Sequence, residues 1–181
     1  MKTRYWIIPL LCLSIGLAAC HDDRAYYPMV ALKSINLEHM DNAGKMPVTT
    51  TKPYEVKKEA YILRIQLLCG FPAGNLYGDA RSFQLEYGIR ILQITTINDL
   101  NDDYPAGSDV TECFQEYPLP LPDNIRQGWS GDEIKYIYHR KPCFYKALME
   151  TPKAGEHQFL VKLTLANDEV MEETTPIINL Y

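Results

Sequence analysis

Cys20 is the residue whose chemistry reads most directly from its neighbours. It follows Leu17-Ala18-Ala19, which close a thirteen-residue apolar run from Tyr5 to Leu17 behind the basic residues Lys2 and Arg4. Small residues ahead of a thiol fit a signal peptidase, and that thiol is the group diacylglycerol alkylates before cleavage makes Cys20 the new N-terminus. A transmembrane helix is the competing reading, but thirteen apolar residues fall short of the ~20 needed to span a bilayer. Several acyl chains of the palmitate kind, each contributing about 0.8 kcal/mol per buried CH₂, make a durable anchor.

Three further cysteines could do redox chemistry. With Cys12 removed and Cys20 acylated, Cys69, Cys113 and Cys143 remain. An oxidising envelope permits one disulfide and one leftover thiol, with the pairing open, or all three act as small buried hydrophobes. Cys143 lies four residues after His139, which on a strand means about 13 Å, too far for a nucleophile and its base. Asp99, Asn101 and Asp103 begin like a calcium loop, whose oxygen ligands alternate. Tyr104 then stands where that loop needs glycine and Val110 where it needs glutamate, so Asx turns are expected, with a looser site that also draws on Asp102, Asp109 or Glu112 left open.

Familiar catalytic signatures are missing from the sequence. Gly128-Trp129-Ser130-Gly131 lacks the strand and helix that strain a nucleophile elbow, and the histidines at 21, 39, 139 and 157 show no ligand spacing. The chain is therefore expected to be no enzyme and to need no cofactor, with a divergent hydrolase as the third reading. Trp129, Tyr136 and Tyr138, followed by Phe144 and Tyr145, are the possible ligand-binding aromatics, since exposed rings stack on sugars or fill a partner's pocket. A tyrosine-rich core is the alternative.

These residues need elements to hold them. Ile35 and Leu37 alternate with polar neighbours, and Asp41-Asn42-Ala43-Gly44 supplies a turn. Tyr61, Leu63, Ile65 and Leu67 mark one face of a central strand that ends at Gly70-Phe71-Pro72. From Phe83 to Ile97, Ile89, Ile91, Gln93 and Thr95 alternate with Arg90, Leu92, Ile94 and Thr96, and β-branching favours strand. Residues 99 to 122 read as loop or edge because of Pro118, Pro120 and Pro122. Shorter strands are expected over 133–140 and 144–149, a turn over 152–156, then strands over 158–166, 170–174 and 177–180, with Asn167-Asp168 turning between the first two.

The Cys20 motif with Asp22 and Asp23 behind it, the run Tyr61-Ile62-Leu63-Arg64-Ile65, the strand end Thr95-Thr96-Ile97-Asn98-Asp99 and the hairpin around 158–180 together resemble a small family of lipoproteins of unknown function from Gram-negative gut anaerobes. That resemblance implies an immunoglobulin-like sandwich and a cell-envelope location.

The expected organisation is a signal peptide over 1–19, an acidic tether with lipidated Cys20 over 20–28, and a β-sandwich domain over 29–181. The fold class is all-β, a single antiparallel immunoglobulin-like sandwich of about seven strands. Removing 1–19 takes away Lys2 and Arg4 and no acidic residue, leaving 16 basic against 23 acidic residues and a net charge of −7, which argues against nucleic acid. The expected function is a non-catalytic, lipid-anchored binding or structural module of the outer membrane, part of a larger envelope complex or adhesin-like. Its acidic pair after Cys20 suggests the cell surface, with the periplasmic face as the alternative. Expected partners are the membrane through the lipid and an envelope protein; the alternative is a glycan bound around Trp129.

Overall fold

The computed structural model of the chain describes residues 28–70, 83–117, 127–130, 133–137 and 142–181, with the backbone alone for 127–130 and 135–137. Strand β1 (Met29–Asp41) pairs antiparallel with β4 (Tyr61–Gly70), which pairs antiparallel with β9 (Cys143–Leu148) and through it with β6 (Phe114–Glu116). On the other side β1 meets β5 (Phe83–Thr96), then β11 (Phe159–Leu165) and β12 (Val170–Thr174). Strands β2 (Val48–Thr49), β7 (Gln127–Ser130) and β8 (Glu133–Ile137) complete this ten-stranded sheet. A small sheet of β10 (Gly155–His157), β13 (Ile178–Leu180) and β3 (Glu55–Val56) closes over its inner face. Helix among the described residues is limited to two 3-10 turns, Lys58–Ala60 and Thr111–Cys113.

The all-β sandwich is present, and β4 is central as its apolar alternation predicts. Its strands are not all antiparallel, however. β1 pairs parallel with β5 at Met29–Val30, and β13 pairs parallel with β3, because both connections cross between layers and do not turn back as hairpins. The strands divide ten and three, whereas the immunoglobulin arrangement divides seven into four and three. The 152–156 turn runs straight into β10, and β3 has only two residues, too short for any periodic signal.

Two bulges account for the long strands. Core residues of β1 shift from even positions, Val30 and Leu32, to odd ones, Ile35, Leu37 and His39, because the register with β4 slips between Leu32 and Ser34. An extra residue reverses the face that every later side chain takes. The same happens in β5, where pairing to β11 skips Arg90. Ile89 therefore faces the core and Ile91 faces solvent at 52% exposure, while Ile94 and Thr96 turn inward; the uninterrupted alternation expected across 89–96 does not hold.

The core centres on aromatic rings. Tyr61 stacks on Phe159 with centroids 5.8 Å apart, and Phe114 meets Phe159 edge-on at 5.4 Å, an arrangement favourable to the ring quadrupoles. Leu63, Ile65, Phe83, Leu85, Val161 and Leu163 pack around them, completely or almost completely buried. Met29, Gly70 and the β11–β12 hairpin lie toward one end, and Asp41, Tyr61, Leu148 and Phe159 lie toward the other.

Phe159→Ala should lower the unfolding free energy in urea titration by about 3–5 kcal/mol, whereas Ile91→Ala should change it by less than ~0.5 kcal/mol. Equal effects would mean that the skip at Arg90 is wrongly placed.

Candidate functional site

At the Asp41 end several short segments converge on a concavity. The Asp41 carboxylate accepts from the Ala43 N–H (2.7 Å), the Asx turn that releases the chain from β1. Asn42 N–H donates to the Ala60 carbonyl, and Lys58 N–H donates to the Tyr181 carbonyl, which holds the 3-10 turn against the strand ends. Across from it, Met149 N–H donates to the Cys113 carbonyl after β9 stops, and the Tyr117 hydroxyl donates to Asn42 Oδ1 at 2.8 Å.

Between these segments lies a pocket of about 340 Å³. Ile62, Ala147 and Leu148 give it an apolar wall, and Lys58, Glu59, Tyr117, Met149 and Glu150 are among the other residues that line it. Met149 is 59% exposed. The described ion pairs involve neither Glu59 nor Glu150.

Beneath this end sits a buried polar clamp. His39 is 2% exposed, with Nε2 2.9 Å from the Pro176 carbonyl and Nδ1 3.0 Å from the Tyr61 hydroxyl. A carbonyl only accepts, so Nε2 carries the hydrogen and Nδ1 accepts from the Tyr61 O–H. Burial pushes the His39 pKa below its ordinary 6.5, against the Pro176 bond, and pushes the Tyr61 hydroxyl up. A neutral imidazole with both nitrogens occupied and no access to solvent ties elements together and is not placed to move protons for a substrate.

A charged group crosses the opposite face of β4. Arg64 bonds Glu38 across the β1–β4 ladder and lies over the Tyr145 ring. Burial works against its charge, but Cys143, Glu38 and Tyr145 more than offset that and hold its pKa above the ordinary value. Cys143, Met40, Ile62 and Tyr145 form a small second cluster there.

The chemically capable residues of the sequence fare differently. Cys20 and Tyr138, with His21 and His139, lie outside the described residues, while Trp129 and Tyr136 lie on β7 and β8 as backbone positions. The hairpin ladder sets Trp129 opposite Ile134 and Gly128 opposite Tyr136. Phe144 and Tyr145, the end of the aromatic series, are buried. Cys69, Cys113 and Cys143 all carry thiols, so none of the three possible pairings is formed. Burial pushes Cys69 up to about 12, and burial with nearby Glu150, Glu112 and Asp109 raises Cys113 against an opposing Tyr104 hydroxyl; neither is an activated nucleophile.

Several oxygens of the 99–109 loop are engaged by the loop and its neighbours, Asp102 pairing with Lys153 and Asp109 also accepting from Gln93. Asp99 accepts from Ala106 N–H, Asn101 from Asp103 and Tyr104 N–H, and Asp109 from Thr111. These are Asx-type contacts, and among the described residues no three metal-ligating side chains converge. The clamp was missed by reading histidine spacing alone. His39 keeps the period-two phase of Ile35 and Leu37, which was the available signal that it faces inward. The pocket had no such signal, since its walls come from four separate stretches of chain.

Residues 73–176 match the family model of a domain of unknown function, DUF5034. No curated protein and no solved structure matches the chain. The matched segment omits β1, β2, β3, β4 and β13. In the large sheet β1 and β4 stand between β5 and β9, so the segment alone would be two separate pieces of sheet without the central strands.

A fragment of residues 73–176 should show no cooperative urea transition, and residues 28–181 should show one; cooperative unfolding of the shorter fragment would contradict the sheet order. Because folding lowers the His39 pKa from 6.5, the unfolded chain takes up the proton first. This contribution to stability is complete above pH 6.5 and is lost as the pH falls below it. His39→Gln should therefore flatten the fall in stability between about pH 7 and pH 5, and an unchanged slope would show that His39 does not titrate on unfolding.

Proposed function

The chain belongs to the DUF5034 family, a domain of unknown function, and from that premise we propose that it is a lipid-anchored protein of the outer membrane, displayed at the cell surface as a non-catalytic binding or structural module of an envelope complex. The observation that carries this reading is Leu17-Ala18-Ala19-Cys20 behind the Tyr5 to Leu17 apolar run. Asp22 and Asp23 directly after it favour outward display over the periplasmic face.

Several features support a role without catalysis. His39 has both nitrogens engaged by the fold, the Cys69 and Cys113 thiols are raised, and Asp99 and Asp109 serve backbone N–H groups. Binding by strand addition at β12 is less favoured than binding at a pocket, because β12 comes back alongside β1, and His39 ties the stretch just after it. A glycan-binding role is the second reading. It rests on Trp129 and Tyr136 standing on adjacent strands; Trp129→Ala would abolish retention on a glycan array if it is right.

Cys20→Ser should shift the protein from the outer-membrane fraction to an unanchored or unprocessed form. Protease added to intact cells should degrade the wild-type chain. Retention of the Cys20→Ser chain in the outer membrane would contradict the anchor, and full protection from protease would reverse the orientation.

A further inference from the structure

We propose that the pocket between the Lys58–Ala60 turn and Met149–Thr151 receives a lysine or arginine side chain presented by a partner protein. This deepens the binding-module reading and rests on it.

The anchor orients the molecule. Seven residues separate Cys20 from Pro28, and at ~3.5 Å each they reach at most about 25–28 Å. The Met29 end of β1 is thus held near the membrane. β1 has thirteen residues, and at ~3.3 Å per residue its Asp41 end stands roughly 40 Å from its Met29 end. Asn42 and Lys58–Ala60 border the pocket at that far end, away from the proposed anchor.

The lining selects the chemistry. A pocket of about 340 Å³ stands at the small end of the ~300–1,000 Å³ range of ligand sites and has room for one long side chain together with part of the chain that presents it. Ile62, Ala147 and Leu148 supply an apolar wall for an alkyl stem. Glu59 and Glu150 outnumber Lys58 at the charged positions and take part in none of the described ion pairs. A cation on an alkyl chain satisfies both parts at once. An anion would face two carboxylates.

Two features favour a protein over a free diamine. Met149 at the pocket and Tyr181, whose carbonyl holds Lys58 N–H, are 59% and 56% exposed, and a polypeptide continuing past its basic residue would cover them. The mature chain carries a net charge of −7 after loss of residues 1–19, which attracts basic partners over distance.

The test uses the full processed chain in detergent micelles with ¹³C-methyl methionine. Acetyl-Ala-Arg-Ala-amide should shift the Met149 methyl resonance saturably. The norleucine tripeptide, which keeps the stem and lacks the charge, should bind at least about fivefold more weakly, and Glu59→Gln with Glu150→Gln should weaken the arginine peptide by a similar factor without moving the urea midpoint. Agmatine should bind more weakly than the tripeptide. Absence of a saturable Met149 shift, equal binding of the norleucine peptide, or indifference to the double substitution overturns the proposal, and agmatine binding as tightly as the peptide overturns the protein source. The assay is independent of Cys20, so an unacylated chain that still binds the arginine peptide would refute the anchor and leave the pocket standing.

Discussion

Tyr61 joins parts of the chain that are far apart in sequence. Its ring stacks on Phe159 of β11, and its hydroxyl donates to His39 of β1, whose other nitrogen donates to the Pro176 carbonyl before β13. The large sheet, the strand after its curled edge and the approach to the small sheet are thereby tied through one phenol and one imidazole. Buried polar groups are costly unless satisfied, and fully satisfied ones fix a single arrangement. The position of the last strands, and with them the Tyr181 carbonyl that holds the Lys58–Ala60 turn, follows from that constraint.

The same constraint shapes the Asp41 end of the sheet. The strand ends around Asp41, Tyr61 and Leu148 are anchored by the aromatic core, while the segments leaving them make backbone bonds to one another. The buried histidine ties these elements together.

Much of this scaffold was legible in the sequence, and its gaps have physical causes. Strands over 61–68 and 170–174 follow from alternation and turn residues that act locally. Where the chain inserts an extra residue, at Lys33 and at Arg90, alternation misleads, since a bulge reverses facing without altering composition. Parallel pairing of β1 with β5 and of β3 with β13 depends on long-range crossings that no local pattern encodes. Disulfides were allowed by the cysteine count, but their formation needs specific Cα separations, and the thiols remain unjoined to one another. His39 was legible through its phase with Leu37; Glu59 and Glu150 come to line one pocket only through the packing of β9 beside the 3-10 turn.

The proposed envelope role rests on Cys20 as the first residue of the mature chain. Mass spectrometry of the N-terminal peptide from protein purified out of its native envelope tests this most directly. The account predicts a peptide that begins at Cys20 and carries acyl chains on it. A peptide retaining residues before Cys20, or beginning there without lipid, would contradict it.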